Sequence, residues 1–194
     1  MKPKTLSRPG GRSARVRAGV IEALMAELTE HGLAGATIEG IARRAGVNKT
    51  TIYRRWGSKE SLVLDAMLDR GERRVPIPDT GSLHEDVRII AAEIIANLGD
   101  PASRALVHAV AAEASAGSPL IDAVREFWRV RFGLLTGVVE RAVARGEVPP
   151  GTDPQPLVEA LLGMLYLRLL VTRAPLDRRF ATTVADVVTA AACG

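Results

Sequence analysis

The chain has 194 residues, 47% hydrophobic and 4% aromatic, with a formal net charge of +4. That length admits one domain, or a small module joined to a larger one, with apolar residues enough for a sizeable core. A single cysteine, Cys193, excludes an internal disulfide, and Glu22 and Glu27 interrupt the first apolar pattern, so no export signal is expected there.

In chain order, the pattern predicts an all-α protein of about nine helices, with no alternating segment that would make a strand. Residues 1–11 form a basic arm with Pro3, Pro9 and Gly10, expected to be disordered. A first helix is expected over 12–31, with Val16, Val20, Ala23, Leu24 and Leu28 on one face, stopped at Gly32. Two short helices follow, over 38–45 and 49–56. Ser58 can cap a fourth over 59–74, and the prolines at 76 and 78 then break the chain. Further helices are expected over 82–98, 101–116, 118–145, 153–172 and 176–192. The most apolar stretch, 157–171, contains Glu159 and Arg168 and reads as too short to span a bilayer. The expectation is a cytoplasmic protein without a membrane partner.

The two short helices carry the chemistry. Thr37 can cap the first, whose Ile38, Ile41 and Ala42 share one face. Gly46 suits the left-handed turn past its end, Val47 would plug the angle, and Asn48 can cap the second helix. There Ile52 and Trp56 point inward at a spacing of four, leaving Lys49, Thr50, Tyr53 and Arg54 outward. That is a helix-turn-helix, whose second helix can lie in a major groove. A solvated surface hairpin would also show exposed Lys and Arg. Against that reading, the outward face of the second helix carries no acid, and helix-stabilising pairs would alternate in sign. Charge is also segregated: residues 1–60 hold twelve Lys or Arg against five Asp or Glu, and the remainder fourteen against seventeen.

At Gly35 through Glu60, especially Thr37-Ile38, Ile41-Ala42, Ala45-Gly46-Val47, Thr51-Ile52-Tyr53 and Trp56 with Ser58-Lys59-Glu60, the chain resembles the tetracycline-repressor (TetR) family of transcriptional regulators. The resemblance is strongest over residues 16–68. Residues 78–83 and 166–170 also look like one C-terminal subgroup of that family. It implies a DNA-binding domain over 12–58 and a helical effector-binding and dimerisation domain over 59–194. By position, Thr37, Thr51, Tyr53, Arg55 and Lys59 are implied as phosphate clamps, and Asn48, Lys49, Thr50 and Tyr53 as base readers. Arg54 is added from this sequence. Glu39 stands where some relatives place a base-reading arginine; it could accept from a cytosine amino group, but is expected to be solvated. Arg12, Arg15 and Arg17 could reach an adjacent minor groove or the flanking backbone.

The expected function is a homodimeric repressor of double-stranded DNA, released by a small-molecule effector. An effector-independent activator or DNA-organising protein, or a small helical enzyme, stays open on sequence alone. The helix over 153–172 is apolar nearly all round, so a partner subunit is the natural cover. Leu161, Leu165 and Leu169, with Phe180, Val184 and Val187 in the last helix, are the expected dimer seam, although ordinary core packing would use the same residues. His108, Glu113, Phe127, Trp128 and Tyr166 are candidates to line an interhelical cavity for an apolar or cationic molecule, or else are surface and core residues. His31, His84 and His108 lie far apart without carboxylates at ligand spacing, and no nucleophile elbow or phosphate loop is present. No metal, cofactor or catalytic site is expected.

Overall fold

Side-chain oxygen caps start most of the helices in this computed structural model, whose described residues are 11–113 and 117–193. The expected basic arm, apart from Gly11, lies outside them, as do the side chains of Arg12 and Glu113. Among the described residues the elements are α1 (Arg12–Gly35), α2 (Ile38–Ala45), α3 (Lys49–Trp56), α4 (Lys59–Arg74), α5 (Leu83–Gly99), α6 (Pro101–Glu113), α7 (Leu120–Ala144), α8 (Pro154–Tyr166) and α9 (Arg178–Cys193). Thr37, Asn48, Ser58, Ser82 and Asp153 each accept a first-turn amide from the helix that follows. Each such cap contributes about 1 kcal/mol.

Two hydrophobic clusters organise these helices. In the first, Val20, Leu24 and Leu28 of α1 meet Ile41 of α2, Ile52 of α3, and Leu62, Val63 and Ala66 of α4. Leu106 and Val110 of α6 and Leu120 and Ala123 of α7 close the same cluster. The core beneath α2 and α3 is therefore continuous with the first part of the larger helical body. The second cluster joins α5 through Val87, Ile90 and Ile94, α7 through Leu135, Val138 and Ala142, and the inner faces of α8 and α9. Each fully buried Leu or Ile contributes about 1.5–3 kcal/mol by leaving water.

Most of the residues expected to form the dimer seam pack inside their own subunit. Leu161, Leu165, Leu169, Phe180 and Val184 are all buried within this second cluster, inside their own subunit. The reason is packing: α9 runs along α5, and α8 is held between α7 and α9, so one stripe of each faces inward. Of the six, Val187 alone faces out, 46% exposed.

The end of α8 also departs from expectation. Residues Leu167–Thr172 form a π-helical turn in place of continued α-helix, and Arg173 closes it at a φ of 56°. A left-handed conformation costs a non-glycine residue about 1 kcal/mol. In that turn Arg168 lies 3.4 Å above the Phe180 ring and donates to the Pro175 carbonyl at 2.7 Å. The stretch Pro154–Thr172 is 19 residues and contains an 18-residue window of mean hydropathy 1.3, long and apolar enough by length and composition to cross a membrane. It is longer than the segment judged too short from sequence, but its Leu157, Leu161, Leu165 and Leu169 stripe is core.

Candidate DNA-binding face and interior cavity

The turn between α2 and α3 is built as its residues require. Thr37 Oγ1 accepts from the Gly40 amide at 3.0 Å, and Asn48 Oδ1 accepts from the Thr50 amide at 2.9 Å. Gly46 sits at φ 65°, where a side chain would be strained. Gly40 is needed for a different reason. A Cβ there would stand 2.6 Å from Oε2 of Glu27, which is buried under α2 and paired with Arg44. Glu27, Glu30 and His31 bring ligand-type atoms within 4.8 Å of one another, a proximity the histidine spacing did not suggest. Arg44 engages both of those carboxylates, which accounts for the cluster without a metal.

On α3, Ile52 is buried and Trp56 half-buried, while Lys49, Thr50, Tyr53, Arg54 and Arg55 are exposed. Tyr53 is a large side chain 48% exposed, next to the buried Ile52. Several side chains are already engaged. The Thr50 hydroxyl donates back to Asn48 Oδ1 at 2.9 Å, and Arg55 donates to Ser13 Oγ at 2.8 Å while its guanidinium lies 5.3 Å from the Trp56 ring centre. Thr51, Arg54 and Arg55 border a hollow with Ser13 and Val47. Glu39, expected to be solvated, is exposed and accepts from Lys49 at 3.2 Å. A backbone hydrogen bond and then Lys49 hold its carboxyl below the ordinary value. Lys59 donates to the carbonyls of Leu33 at 2.9 Å and Ala36 at 3.2 Å. It ties the end of α1 to the start of α4, using two of its three donors.

Arg17 does not face outward. It forms a bidentate pair with Asp65, at 2.9 and 2.7 Å, and a further bond to Asp69 at 2.6 Å. Trp56 Nε1 donates to the same Asp65 at 2.9 Å. Asp65 on α4 thus fixes α1 and the end of α3 together. Burial alone would raise its pKa, but the hydrogen bonds from Arg17 and Trp56, then the charges of Arg17 and Arg55, outweigh that and hold it low. Hydrogen bonding to Asp65 likewise raises Arg17 further above its already high value. Sequence reading missed this network because its members are 48 and 52 residues apart.

The candidate ligand residues divide. Phe127, Trp128 and Tyr166 line a cavity of about 400 Å³ bounded by α4, α5, α6, α7 and α8. Trp128 makes edge-on contacts with Phe127, Phe132 and Tyr166 at ring-centre distances of 5.1, 5.8 and 5.7 Å. His108 lies apart, in a surface depression with Arg104, Arg168 and Arg173. The Glu113 side chain is outside the described residues. No Asp or Glu lines the cavity, and Arg131 and Arg70 do, so a cationic ligand would meet like charge with no partner. Arg131 itself was missed, although it recurs on the α7 face of Trp128 and Leu135 at helical spacing.

The two segments that suggested a C-terminal subgroup are structural fastenings. Asp86 accepts from the amide and hydroxyl of Thr80 at 2.8 and 2.7 Å, Glu147 accepts from the Leu83 amide at 2.7 Å, and Arg141 donates to the Pro78 carbonyl at 2.7 Å. Together they pin the start of α5 to the end of α7. Residues 166–170 supply the π-helical turn and its Arg168 stack.

Comparison with known proteins agrees with this architecture. Residues 20–66 match the family described as bacterial regulatory proteins, tetR family, and residues 77–188 match the tetracyclin repressor-like C-terminal domain. The chain is 40% identical over 157 residues to the HTH-type transcriptional regulator AqdR of Rhodococcus erythropolis, covering 80% of this chain and 75% of that one. It is 34% identical over 164 residues to the uncharacterized HTH-type transcriptional regulator Mb1581 of Mycobacterium bovis, covering 83% and 80%. The crystal structure of the TetR-family transcription regulator SCO0332 is similar at a TM-score of 0.75 and 32% identity, covering 93% of this chain and all of that one. With both halves matched, and a helix-turn-helix that presents Lys49, Tyr53 and Arg54 to solvent, the chain belongs to the TetR family of DNA-binding transcription regulators rather than to any class of enzyme.

Proposed function

We propose that the protein is a homodimeric repressor that binds a pseudo-palindromic operator through α3 of each subunit and is released by a small molecule in the α4–α8 cavity. One observation carries the DNA reading: the outward face of α3 exposes Lys49, Thr50, Tyr53 and Arg54, and the helix contains no acid. Thr37, Thr51, Tyr53 and Arg55 serve as phosphate contacts, and Asn48, Lys49, Thr50, Tyr53 and Arg54 as base readers. Lys59 acts mainly by holding α1 against α4, with one donor left for phosphate. Glu39 restrains Lys49 until a base edge or phosphate replaces it. Residues 12–58 form the reading head, and residues 59–194 the effector and dimer body. An operator-binding protein of a bacterium works in the cytoplasm, with the DNA.

Dimerisation falls to the outer faces of α8 and α9. Glu159, Gly163, Leu167 and Val171 recur every four residues and are exposed, and Thr183, Val187 and Ala191 repeat the pattern on α9. Leu167 and Val171 are 52% and 69% exposed, which is unusual for residues of that size side by side in water. A second copy laying the same faces across them makes a four-helix contact with two-fold symmetry.

Selection of duplexes from a random pool tests the proposal. One inverted repeat should emerge, bound by a dimer, with affinity falling steeply as salt rises because Lys and Arg displace condensed counterions. Equal affinity for selected and random duplex at every salt concentration would refute operator reading.

A further inference from the structure

The cavity holds a charged side chain for which DNA binding has no use. Arg131 on α7 is 6% exposed. Its terminal nitrogens donate to the carbonyls of Gly71 and Val75 at 3.3 and 3.4 Å, long contacts for a guanidinium. Among the described residues no carboxylate pairs with it, and none lines the cavity. Arg70, the other cavity arginine, is already neutralised by Asp100 and hydrogen-bonded to Ser103. Burial lowers the Arg131 pKa from its ordinary value, yet a guanidinium keeps its proton in a protein. A buried cation held only by two distant carbonyls is costly unless something else completes it.

Tyr166 sits near enough for the Arg131 charge to act on it. Burial pushes its hydroxyl up to about 12, so it stays a neutral donor at ordinary pH. Around the pair the walls are apolar, with Phe127, Trp128 and Leu162 among them. A volume of about 400 Å³ is at the small end for a drug-sized ligand.

We propose that this cavity takes a small apolar molecule bearing a carboxylate, with Arg131 and Tyr166 as its anion anchor and the aromatic cluster around its body. The inference rests on the effector reading above and gives it a chemistry. It also gives it a lever. Arg131 presently holds the last turn of α4, and α4 carries the Asp65 and Asp69 that fix α1 and α3. A carboxylate is a better acceptor than two long carbonyl contacts, so occupancy draws the guanidinium off the end of α4. That difference in interaction between two states is what a shift in DNA affinity requires.

Three molecules of one shape test the class: 2-naphthoate, 2-naphthylmethanol and 2-naphthylmethylamine, titrated by calorimetry into the full-length protein. The carboxylate should bind at least about tenfold more tightly than the alcohol, and the amine weakest. Arg131→Met should lose at least about tenfold for the carboxylate and change the alcohol by less than about threefold. Tyr166→Phe, should Arg131→Met fail to fold, should lose several-fold for the carboxylate alone. Binding of the alcohol or amine as tightly as the carboxylate would overturn the proposal. So would carboxylate affinity unchanged in both variants, or no binding by any of the three. Operator binding by the same preparations distinguishes these failures from failure of the DNA reading, because an intact operator complex leaves only the ligand class refuted.

Discussion

Arg54 and Arg131 are the same residue in opposite surroundings. On α3, Arg54 stands in water, where its charge is screened and inexpensive to hold, and where it can meet a phosphate or a base edge at the surface. On α7, Arg131 is enclosed among aromatic rings, where its charge is costly and acts at short range only. The head therefore displays many weakly engaged charges that sum over a polyanion. Among the described residues the body buries Arg131 and Asp86, and of the two Arg131 lines the cavity. Between head and body α4 touches both, since Asp65 and Asp69 grip the head while Gly71 and Val75 face Arg131.

The body's own inside and outside can be separated most strongly on α9, where Val184 and Val187 are three residues apart. Val184 is fully buried in the subunit core and Val187 is exposed. Val184→Glu should cost roughly 4–5 kcal/mol or more and leave little folded protein, by circular dichroism and thermal melting. Val187→Glu should fold with nearly unchanged melting temperature but sediment as a monomer and bind the operator far more weakly. A dimeric Val187→Glu protein, with Leu167→Glu also dimeric, would place the interface elsewhere.

A smaller effect is expected where α4 grips the head. Asp65→Asn removes a charge from the Arg17 and Trp56 hydrogen bonds, and should cost about 1–2 kcal/mol given the partial exposure of the pair. Asp65 is held below the ordinary carboxylate range, so the unfolded chain takes up its proton first as pH falls. The stabilisation is complete above about pH 4 and is lost as pH drops from there through the lower folded value. Melting temperature against pH should decline in that window for the wild type and less steeply for Asp65→Asn. Parallel declines would mean that other carboxylates dominate.

The contrast between head and body also explains what was legible in the sequence. In α2 and α3, caps, turn and apolar spacing are local, so Thr37, Gly46, Asn48 and Ile52 could be assigned from their neighbours alone. The body's helices were legible for the same reason, as the breaks at Pro76, Gly99 and Gly146 show. Which stripe of α8 and α9 faces inward was not, because both stripes are apolar and only the position of α5 and α7 decides between them. Arg17 and Lys59 were expected to reach DNA and Glu39 to be solvated, and each has a partner on another helix. Arg131 could have been noticed as a charge on an apolar face, but its lack of a counter-ion is a tertiary fact.

Lys49 offers the most direct test of the central claim that α3 reads sequence. Wild type and Lys49→Ala should be titrated, by fluorescence anisotropy, into the selected inverted repeat, its single-base variants and a random duplex at several salt concentrations. Lys49→Ala should lose roughly 1–3 kcal/mol on the selected repeat, with preference relaxed at one base pair per half-site and little change on random duplex beyond one fewer phosphate-type contact. An equal loss on every sequence, or no loss at all, would contradict that claim.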